Sequence, residues 1–283
     1  MILFPHCKIN LGLHITARRS DGYHDIETLF YPVRGLCDAL EILNGEENGS
    51  SSSDSMVHFS SSGLSIDCPT EKNLCVKAAQ MLLADFPAQI PATGIRLHLH
   101  KTIPFGAGLG GGSADATATL TGINQLLHLG LTVEELRPYA ARLGSDTVFF
   151  LYNSPMFGSG RGEELTPCDT VDLHGWWLML VKPDAGVSTA EAYSLITPHA
   201  PAQPLAHVLQ QPVETWREML INDFEEPIYR KLPQLREIKE ALYHHGATYA
   251  ALSGSGSTLF GLFRQKPDVT WFGNDYFVHI EQL

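Results

Sequence analysis

Five glycines stand within seven residues of this chain, in the run Ile103-Pro-Phe-Gly-Ala-Gly-Leu-Gly-Gly-Gly-Ser-Ala114. Before the run, apolar residues alternate over Ile95–Leu99, which predicts a half-buried strand. After it, they recur on one helical face from Ala114 to Leu127. A glycine loop that opens a helix lets backbone N–H groups and the helix dipole converge on an anion. Since glycine is entropically costly wherever it is not required, five of them predict a phosphate-binding loop rather than a plain turn.

The loop fits neither of the two common nucleotide-binding motifs. Gly106-x-Gly108-x-x-Gly111 formally matches the dinucleotide fingerprint, but that fingerprint requires an acid about twenty residues further on to bind a ribose hydroxyl. Thr132–Glu135 stands there and has the pattern of a capping box that opens another helix. A Walker A loop requires Gly-Lys-Ser/Thr, which does not follow these glycines. A dinucleotide-dependent oxidoreductase is therefore the least favoured function.

Composition limits the partners, the location and the metal sites that we expect for this protein. The 283 residues carry a net charge of -12, with 31 Asp and Glu against 19 Lys and Arg, so a nucleic-acid partner is not expected. No apolar run approaches the length of a membrane span, and the N-terminus lacks the pattern of a signal peptide, so we expect a cytoplasmic protein without a membrane partner. Five cysteines without a C-x-x-C pair and 13 scattered histidines predict reduced thiols and no metal site. The oligomeric state stays open.

Three motifs together resemble one enzyme family. Pro104–Ala114 is similar to the central motif of the GHMP kinases, which phosphorylate small alcohols with ATP. Pro5–Leu11 resembles the first motif of that family, and Ala251–Phe260 resembles the third, a hairpin rich in glycine and serine. Three motifs in this order along the chain are far more specific than any one of them.

A further block resembles one branch of this family. Arg18–Phe30 contains Asp-Gly-Tyr-His and is similar to the block of the GHMP kinases that phosphorylate a CDP-linked alcohol in non-mevalonate isoprenoid biosynthesis. Leu143–Phe150 and Val187–Tyr193 also resemble segments of that branch. The departures from its pattern, none of which removes a charged residue, are Cys7, Ser145, Thr147 and Val148.

The resemblance implies an α+β fold of two domains with a catalytic cleft between them. The turn-prone triplet Asn153–Pro155 marks the best boundary, which predicts an ATP-binding and catalytic domain at 1–154 and a C-terminal GHMP kinase domain at 155–283. Within the second domain, helices are predicted over Glu226–His245, stopped by Gly246. Asn44–Gly63 is a stretch of low complexity, with four consecutive serines, and is interpreted as a mobile hairpin tip or insertion away from the chemistry.

Two residues are predicted to form the catalytic pair. Asp146 follows the helix predicted from Thr132, and its position alone favours an ordinary turn residue. Lys8 shares a strand face with Asn10, where a lone lysine is usually solvated. The resemblance implies that Asp146 takes the proton of the substrate hydroxyl and that Lys8 keeps Asp146 ionised, while Asn10 places the substrate. Whether Asp146 removes the proton or mainly stabilises charge stays open.

Aromatic residues near the first turn are predicted to bind the base. Asp21-Gly22 is a turn signal between two strands, and Tyr23, His24 and Phe30 follow it. Core aromatics and a surface histidine are the alternative. The resemblance implies that Tyr23 and Phe30 sandwich a cytosine while His24 binds its edge.

The glycine loop and the third motif are predicted to bind ATP, with Mg²⁺ arriving on the nucleotide and bridging its phosphates. Two residues near the adenine in the family also have ordinary alternatives, a helix N-cap for Asn73 and a strand-end charge for Lys101. The third motif is expected to pack beside the nucleotide loop. The residues assigned to the nucleotide are Asn73, Lys101, Pro104, Gly106, Gly108, Gly110, Gly111, Gly112, Ser113, Ser253, Gly254, Ser255 and Gly256.

The leading hypothesis is therefore an ATP-dependent kinase that acts on a CDP-linked alcohol. A GHMP kinase for another small alcohol, such as mevalonate or homoserine, is one alternative, and the Asp-Gly-Tyr-His block argues against it. A catalytically silent nucleotide-binding regulator on the same fold is another. The presence of both Lys8 and Asp146 argues against the silent protein.

Overall fold

A computed structural model describes residues 1–45 and 56–283, and these divide into two compact units. The chain passes between the units several times, and its last crossing follows Asn153, one residue before the predicted domain boundary. The first unit consists of Met1–Cys7, Leu36–Phe105 and Gly110–Asn153, and the second of Lys8–Gly35, Gly106–Leu109 and Ser154–Leu283. The predicted assignment of functions to 1–154 and 155–283 stays a prediction.

Strands and helices alternate irregularly along the described residues, as in an α+β fold. The strands are β1 (Ile2–Leu3), β2 (His6–Arg18), β3 (His24–Cys37), β4 (Ala39–Asn44), β5 (Val57–Gly63), β6 (Ile95–Lys101), β7 (Met156–Ser159), β8 (Glu164–Pro167), β9 (Trp177–Pro183), β10 (Tyr249–Leu252), β11 (Leu259–Phe263) and β12 (Tyr276–Gln282). The helices are α1 (Leu74–Asp85), α2 (Gly111–Leu126), α3 (Val133–Leu143), α4 (Thr189–Ser194), α5 (Leu205–Leu209), α6 (Trp216–Met219), α7 (Glu225–Lys231) and α8 (Pro233–His244).

The first unit contains a four-stranded sheet in the order β1-β4-β6-β5, on which α2 packs. A glycine makes the close approach of α2 to β4 possible. A Cβ at Gly122 would lie 2.4 Å from Ile42 Cδ1 and 2.7 Å from Leu3 Cδ1. The predicted strand and helix on either side of the glycine loop are confirmed as β6 and α2. The capping box is confirmed too, since Thr132 N donates to Glu135 Oε2 at 2.8 Å and Glu135 N donates to Thr132 Oγ1 at 3.3 Å.

The interpretation of Asn44–Gly63 as a hairpin tip or insertion is wrong for its last residues. They form β5, which runs parallel to β6, while Ser50–Ser53 lie outside the described residues. The strand forms because Val57 is buried and hydroxyl groups at its other end have partners on β6. Ser62 Oγ lies 2.9 Å from His98 Nε2, for example. Serines in a strand form the same backbone hydrogen bonds as other residues. The serine-rich composition of the segment therefore gave no indication of β5.

The second unit contains two sheets. Their strand orders are β2-β3-β7-β8 and β10-β11-β9-β12, and every pairing in the second of them is antiparallel. The first therefore joins a hairpin from the beginning of the chain to one that follows Ser154. The buried residues that form the core of this unit include Leu13, Ile15, Met179, Val181, Phe224, Ile228, Ile238, Leu242, Leu252 and Leu259.

The helices predicted over Glu226–His245 are confirmed as α7 and α8. α7 ends at Lys231 and α8 begins at Pro233. A proline has no N–H to donate and disfavours helical geometry in the residue before it. Leu232 accordingly has φ -125° and ψ 77°, outside the helical region, and Pro233 starts the new helix.

Two properties of the whole described chain bear on its class. None of its helices combines the length and apolar character that a bilayer crossing requires. All five cysteines fall within the described residues, and all are free thiols, as predicted.

Candidate active site

The strand that carries the first motif buries a lysine and an amide. Lys8 and Asn10 are each only 2 % exposed, so the alternative of a solvated lysine is wrong. Lys8 Nζ donates to Asn10 Oδ1 at 2.6 Å and to the Gly108 carbonyl at 3.0 Å. Asn10 Nδ2 donates to Thr28 Oγ1 at 2.9 Å, and that hydroxyl donates to the Gly12 carbonyl at 2.6 Å. This chain of hydrogen bonds fixes the direction of the ammonium group.

The third motif packs against the first half of the glycine loop. Ser253 Oγ donates to the Gly108 carbonyl at 3.0 Å. A Cβ at Gly108, where φ is +75°, would lie 2.1 Å from the Ser253 carbonyl oxygen. A Cβ at Gly254 would lie 3.4 Å from Lys8 Nζ. The prediction that this hairpin packs beside the nucleotide loop is confirmed at Gly108.

The rest of the third motif forms the turn between β10 and β11. Gly256 N donates to the Ser253 carbonyl at 2.9 Å, which closes the turn around Ser255. Thr258 N donates to the Ala107 carbonyl at 3.2 Å. Backbone groups on both sides of the turn therefore face the loop, and at Gly108 only a glycine leaves room for that contact.

Sequence reasoning missed the residue that orients this turn, Asn222. Its side chain is 2 % exposed, and Nδ2 donates to the carbonyls of Leu252 and Gly254, both at 2.8 Å. Asn222 Oδ1 accepts from Phe224 N at 3.0 Å. The signal in the sequence was weak, since Asn-Asp after an apolar residue is typical of any helix-capping turn.

The second half of the glycine loop opens α2 in the first unit. Gly110 is the N-cap, with φ +71°, and Gly111, Gly112 and Ser113 form the first turn. A Cβ at Gly111 would lie 3.0 Å from Lys101 Nζ. The first N–H groups of a helix have no partners within it, so this turn presents donors suited to a phosphate.

The turn that carries Asp146 lies beside the start of α2. A Cβ at Gly144 would lie 3.9 Å from Ser113 Oγ, and Thr117 Oγ1 donates to the Thr147 carbonyl at 2.7 Å. Asp146 itself is half-buried. Within the first unit the structure thus brings together a predicted phosphate-binding residue and the turn of the predicted base.

Two residues assigned to the nucleotide have other partners. Asn73 Oδ1 accepts from Cys75 N at 2.9 Å and caps α1. Lys101 is 3 % exposed, and its Nζ donates to the carboxylates of Asp38 and Asp115, the latter at 2.7 Å. These bonds match the alternatives of an N-cap and a strand-end charge, and a nucleotide contact for either side chain stays a prediction. Pro104 and Gly106 lie at the start of the loop, half-buried and exposed respectively.

Asp115 and Lys101 both have shifted pKa values. Burial, reinforced by the neighbouring Asp38, raises the pKa of Asp115 to about 8 despite the attraction of Lys101. Burial alone would lower the pKa of Lys101, but the two carboxylates outweigh it and raise that pKa. Lys101 is therefore charged at neutral pH while Asp115 holds a proton.

The structure does not bring Tyr23 and Phe30 together. Phe30 is 1 % exposed on β3, and Lys8 Nζ lies 5.6 Å from the centre of its ring. Tyr23 is 53 % exposed and lies just before the same strand. Seven residues of extended strand span about 20 Å, far more than the gap between two rings that sandwich one base. Phe30 therefore packs in the core beside Lys8, and the predicted sandwich is not formed.

Another aromatic residue accompanies His24. The Tyr193 ring stacks on the His24 ring, with centroids 5.0 Å apart and planes at 22°, and its edge meets Phe224 in the core. The Arg161 guanidinium lies 5.0 Å from the centre of the Tyr23 ring. Tyr193 belongs to a segment that marks the family branch, but nothing in the sequence alone indicated its contact with His24.

Family models match both halves of the chain. The model of the GHMP kinases N terminal domain matches residues 73–154, and that of the GHMP kinases C terminal matches residues 206–270. The chain belongs to the GHMP kinase family, whose members are ATP-dependent phosphotransferases.

Within the family, several curated relatives of the chain carry one name. The chain is 47% identical to the 4-diphosphocytidyl-2-C-methyl-D-erythritol kinase of Azobacteroides pseudotrichonymphae, over 94% of each chain. It is 46% identical to the enzyme of the same name from Parabacteroides distasonis, over 94% of this chain and 93% of that one. A crystal structure of 4-(cytidine 5'-diphospho)-2C-methyl-D-erythritol kinase is similar with a TM-score of 0.75 and 30% identity, covering 93% of this chain and 90% of the other.

Proposed function

We propose that this chain transfers the γ-phosphoryl group of ATP to the 2-hydroxyl of 4-diphosphocytidyl-2-C-methyl-D-erythritol. The products are the 2-phosphate and ADP, in the non-mevalonate supply of isoprenoid precursors. The similarity to relatives of that name over most of the chain supports the assignment.

One observation carries the choice of substrate. The β2–β3 hairpin holds the buried group of Lys8, Asn10 and Thr28 and, nearer its turn, the aromatic pair of His24 and Tyr193. Thr28 and His24 are four residues apart on one strand, about 13 Å. A nucleoside diphosphate ester can span that distance, with its base on the rings and its alcohol near Lys8. Mevalonate and homoserine carry no base and are too short to use both ends.

The residues divide the reaction among themselves. The 2-hydroxyl oxygen attacks the γ-phosphorus, the bond to the β–γ bridging oxygen breaks, and the hydroxyl proton passes to the Asp146 carboxylate. Lys8, with its direction fixed by Asn10 and the Gly108 carbonyl, stabilises negative charge near the reacting oxygen. Tyr23, His24 and Tyr193 bind the cytosine by stacking and edge contacts.

The glycine loop binds the phosphates. Gly110–Ser113 offer the free N–H groups at the start of α2, and the third motif, Ser253–Gly256, supports the loop from Gly106 to Leu109. Mg²⁺ enters as part of the ATP substrate and neutralises its phosphates. Within the two described ranges, no three or more His, Cys, Asp or Glu side chains are grouped so as to hold a metal ion. We further propose that the enzyme works in the cytoplasm on these two small substrates.

The test is ADP release from ATP and Mg²⁺ with the CDP-linked substrate, beside mevalonate and homoserine as matched acceptors. We expect turnover with the cytidyl substrate alone, and phosphorus NMR of the product should locate the new phosphate on the 2-oxygen. Turnover with only mevalonate or homoserine would support kinase activity but refute the proposed cytosine site. If ATP binds but no ADP is released with any of the three acceptors, the result would favour a regulatory protein.

A further inference from the structure

Three ionisable side chains of the first unit form a buried group that the proposed reaction does not use. We call Asp38, Lys101 and Asp115 the charge cluster; they are 0 %, 3 % and 2 % exposed. Buried ion pairs usually add no stability over apolar residues of the same size, because desolvation offsets their attraction. The position of the cluster in the fold suggests a different reason for its presence.

The charge cluster holds both ends of the glycine loop. Before the loop, Asp38 Oδ1 accepts from the backbone N–H groups of Thr102 and Ile103 at 2.6 and 2.8 Å. After the loop, Lys101 Nζ donates to Asp115 Oδ2 on α2 at 2.7 Å. Because Lys101 also donates to Asp38, one ammonium group joins the strand end to the helix start. The same three side chains therefore fix the backbone on both sides of residues 104–110, at the end of β6 and at the start of α2.

One carboxyl oxygen of the charge cluster takes part in none of these hydrogen bonds. Asp115 Oδ1 is buried and has no hydrogen-bond partner among residues 1–45 and 56–283. Two carboxyl groups share one ammonium group, so the cluster is neutral overall when one of them keeps its proton. The titratable groups that act on Asp115 are Lys101, Asp38 and the Cys75 thiol of α1, whose own pKa burial raises, so that it stays neutral. Ionisation of Asp115 therefore leaves one uncompensated negative charge inside the protein.

That charge would arise on the helix whose first turn is proposed to receive the phosphates. Asp115 follows Ser113 by two residues, and Lys101 Nζ lies 3.0 Å from where a Cβ on Gly111 would stand. A negative charge there opposes an incoming phosphate, although it strengthens the attraction between Asp115 and Lys101.

We propose that the charge cluster is a positioning device for ATP: it holds the glycine loop in the shape that binds the phosphates, and loss of the Asp115 proton adds a negative charge that weakens that binding. This inference rests on the proposed function only in taking ATP as the ligand. It gives Lys101 a role through the loop rather than by direct contact with the nucleotide.

The experiment is calorimetric titration of the full chain with ATP and Mg²⁺, without the alcohol substrate, from pH 7.0 to 9.5. We expect the Kd of the unaltered protein to rise about tenfold across this range, the size of one pKa unit of coupling. Asp115→Asn, nearly isosteric, should bind ATP with a Kd that does not rise. Asp85→Asn, an exposed carboxylate at the end of α1, should behave as the unaltered protein does.

A second variant tests the mechanical part. Lys101→Met removes the link and should raise the Kd at pH 7 at least about tenfold, with faster hydrogen exchange confined to residues 104–112. An alkaline loss of affinity that persists in Asp115→Asn would overturn the proposal, as would an unchanged Kd in Lys101→Met. If Lys101→Met does not fold, the Asp115→Asn titration decides alone. Failure of the unaltered protein to bind ATP at any pH would instead overturn the proposed function.

Discussion

The two halves of the glycine loop are held by different interactions. The first half, Gly106–Leu109, belongs to the second unit, where close backbone packing surrounds Gly108 and its carbonyl accepts from Ser253 and from the Lys8 ammonium group. The second half begins at Gly110 in the first unit and continues into α2, which the charge cluster joins to β6.

The difference predicts two kinds of sensitivity. The backbone atoms packed around Gly108 leave no room for an added atom, and these backbone groups do not titrate. A buried charge cluster accepts an isosteric substitution, but its net charge depends on pH. One loop can therefore be damaged sterically in its first half and electrostatically in its second.

The largest effect should come from the predicted catalytic pair, which has one member beside each half. Asp146→Asn removes the proton acceptor and should lower kcat by about 10²- to 10⁴-fold, while the Kd for ATP changes little. Lys8→Met should lower kcat comparably, and the double variant should lose far less than the product of the two effects. Steady-state kinetics with ATP titrations measures this. Turnover of Asp146→Asn at the unaltered rate would remove Asp146 from the mechanism.

Next in size is a steric test of the first half. Gly108 and Gly106 both have positive φ, but only at Gly108 does a Cβ meet other atoms. Gly106→Ala should lower the free energy of unfolding by about 1–2 kcal/mol for the backbone conformation alone. Gly108→Ala adds overpacking of about 1–3 kcal/mol and should weaken ATP binding. Urea denaturation of both variants measures the difference, and equal losses would mean that Ser253 does not crowd the loop.

Substitutions of the exposed Tyr23 ring and of the buried Phe30 ring should have smaller and different effects. Tyr23→Ala should raise the KM for the CDP-linked substrate roughly 5- to 100-fold, since a stacked base is worth about 1–3 kcal/mol. Phe30→Leu should leave that KM unchanged and lower stability by about 1 kcal/mol, because its ring is part of the core. Substrate kinetics paired with thermal unfolding distinguishes the two. A raised KM in Phe30→Leu would restore Phe30 to the cytosine site.

The smallest effect concerns stability against pH. The unfolded chain releases the Asp115 proton near pH 4, but the folded chain keeps it until about pH 8. Between these values the folded state binds the extra proton, so stability falls as pH rises and levels off above pH 8. From pH 7 to 8 the loss is about 1 kcal/mol relative to Asp115→Asn. Urea denaturation of both proteins at several pH values measures it, and parallel curves would contradict it.

Local signals in the sequence predicted the elements around the loop well. The capping box at Thr132, the alternation over Ile95–Leu99 and the glycines themselves are all read within a few residues, and α2, α3 and β6 form accordingly. The contact between the third motif and the loop was also predictable, because three motifs in order indicate one family.

What the sequence could not give depends on partners far along the chain. Asn222 and Asp38 act by binding backbone groups of other segments, and no local pattern marks such a residue. The burial of Phe30 was not predictable for the same reason, since the sequence pattern of an aromatic residue is the same whether its side chain contacts a ligand or the core. β5 was missed because its pairing with β6, not its serine-rich composition, makes it a strand.

The sheet β2-β3-β7-β8 has a consequence for how the chain is made. Its first two strands leave the ribosome early, but β7 and β8 are synthesised only after the whole of the first unit. The N-terminal hairpin, which already carries Lys8 and Asn10, therefore cannot complete its sheet until β7 and β8 have been synthesised after the first unit. For the same reason, a gene divided between codons 153 and 154 encodes no self-sufficient second unit, and the two fragments can restore that sheet only by associating.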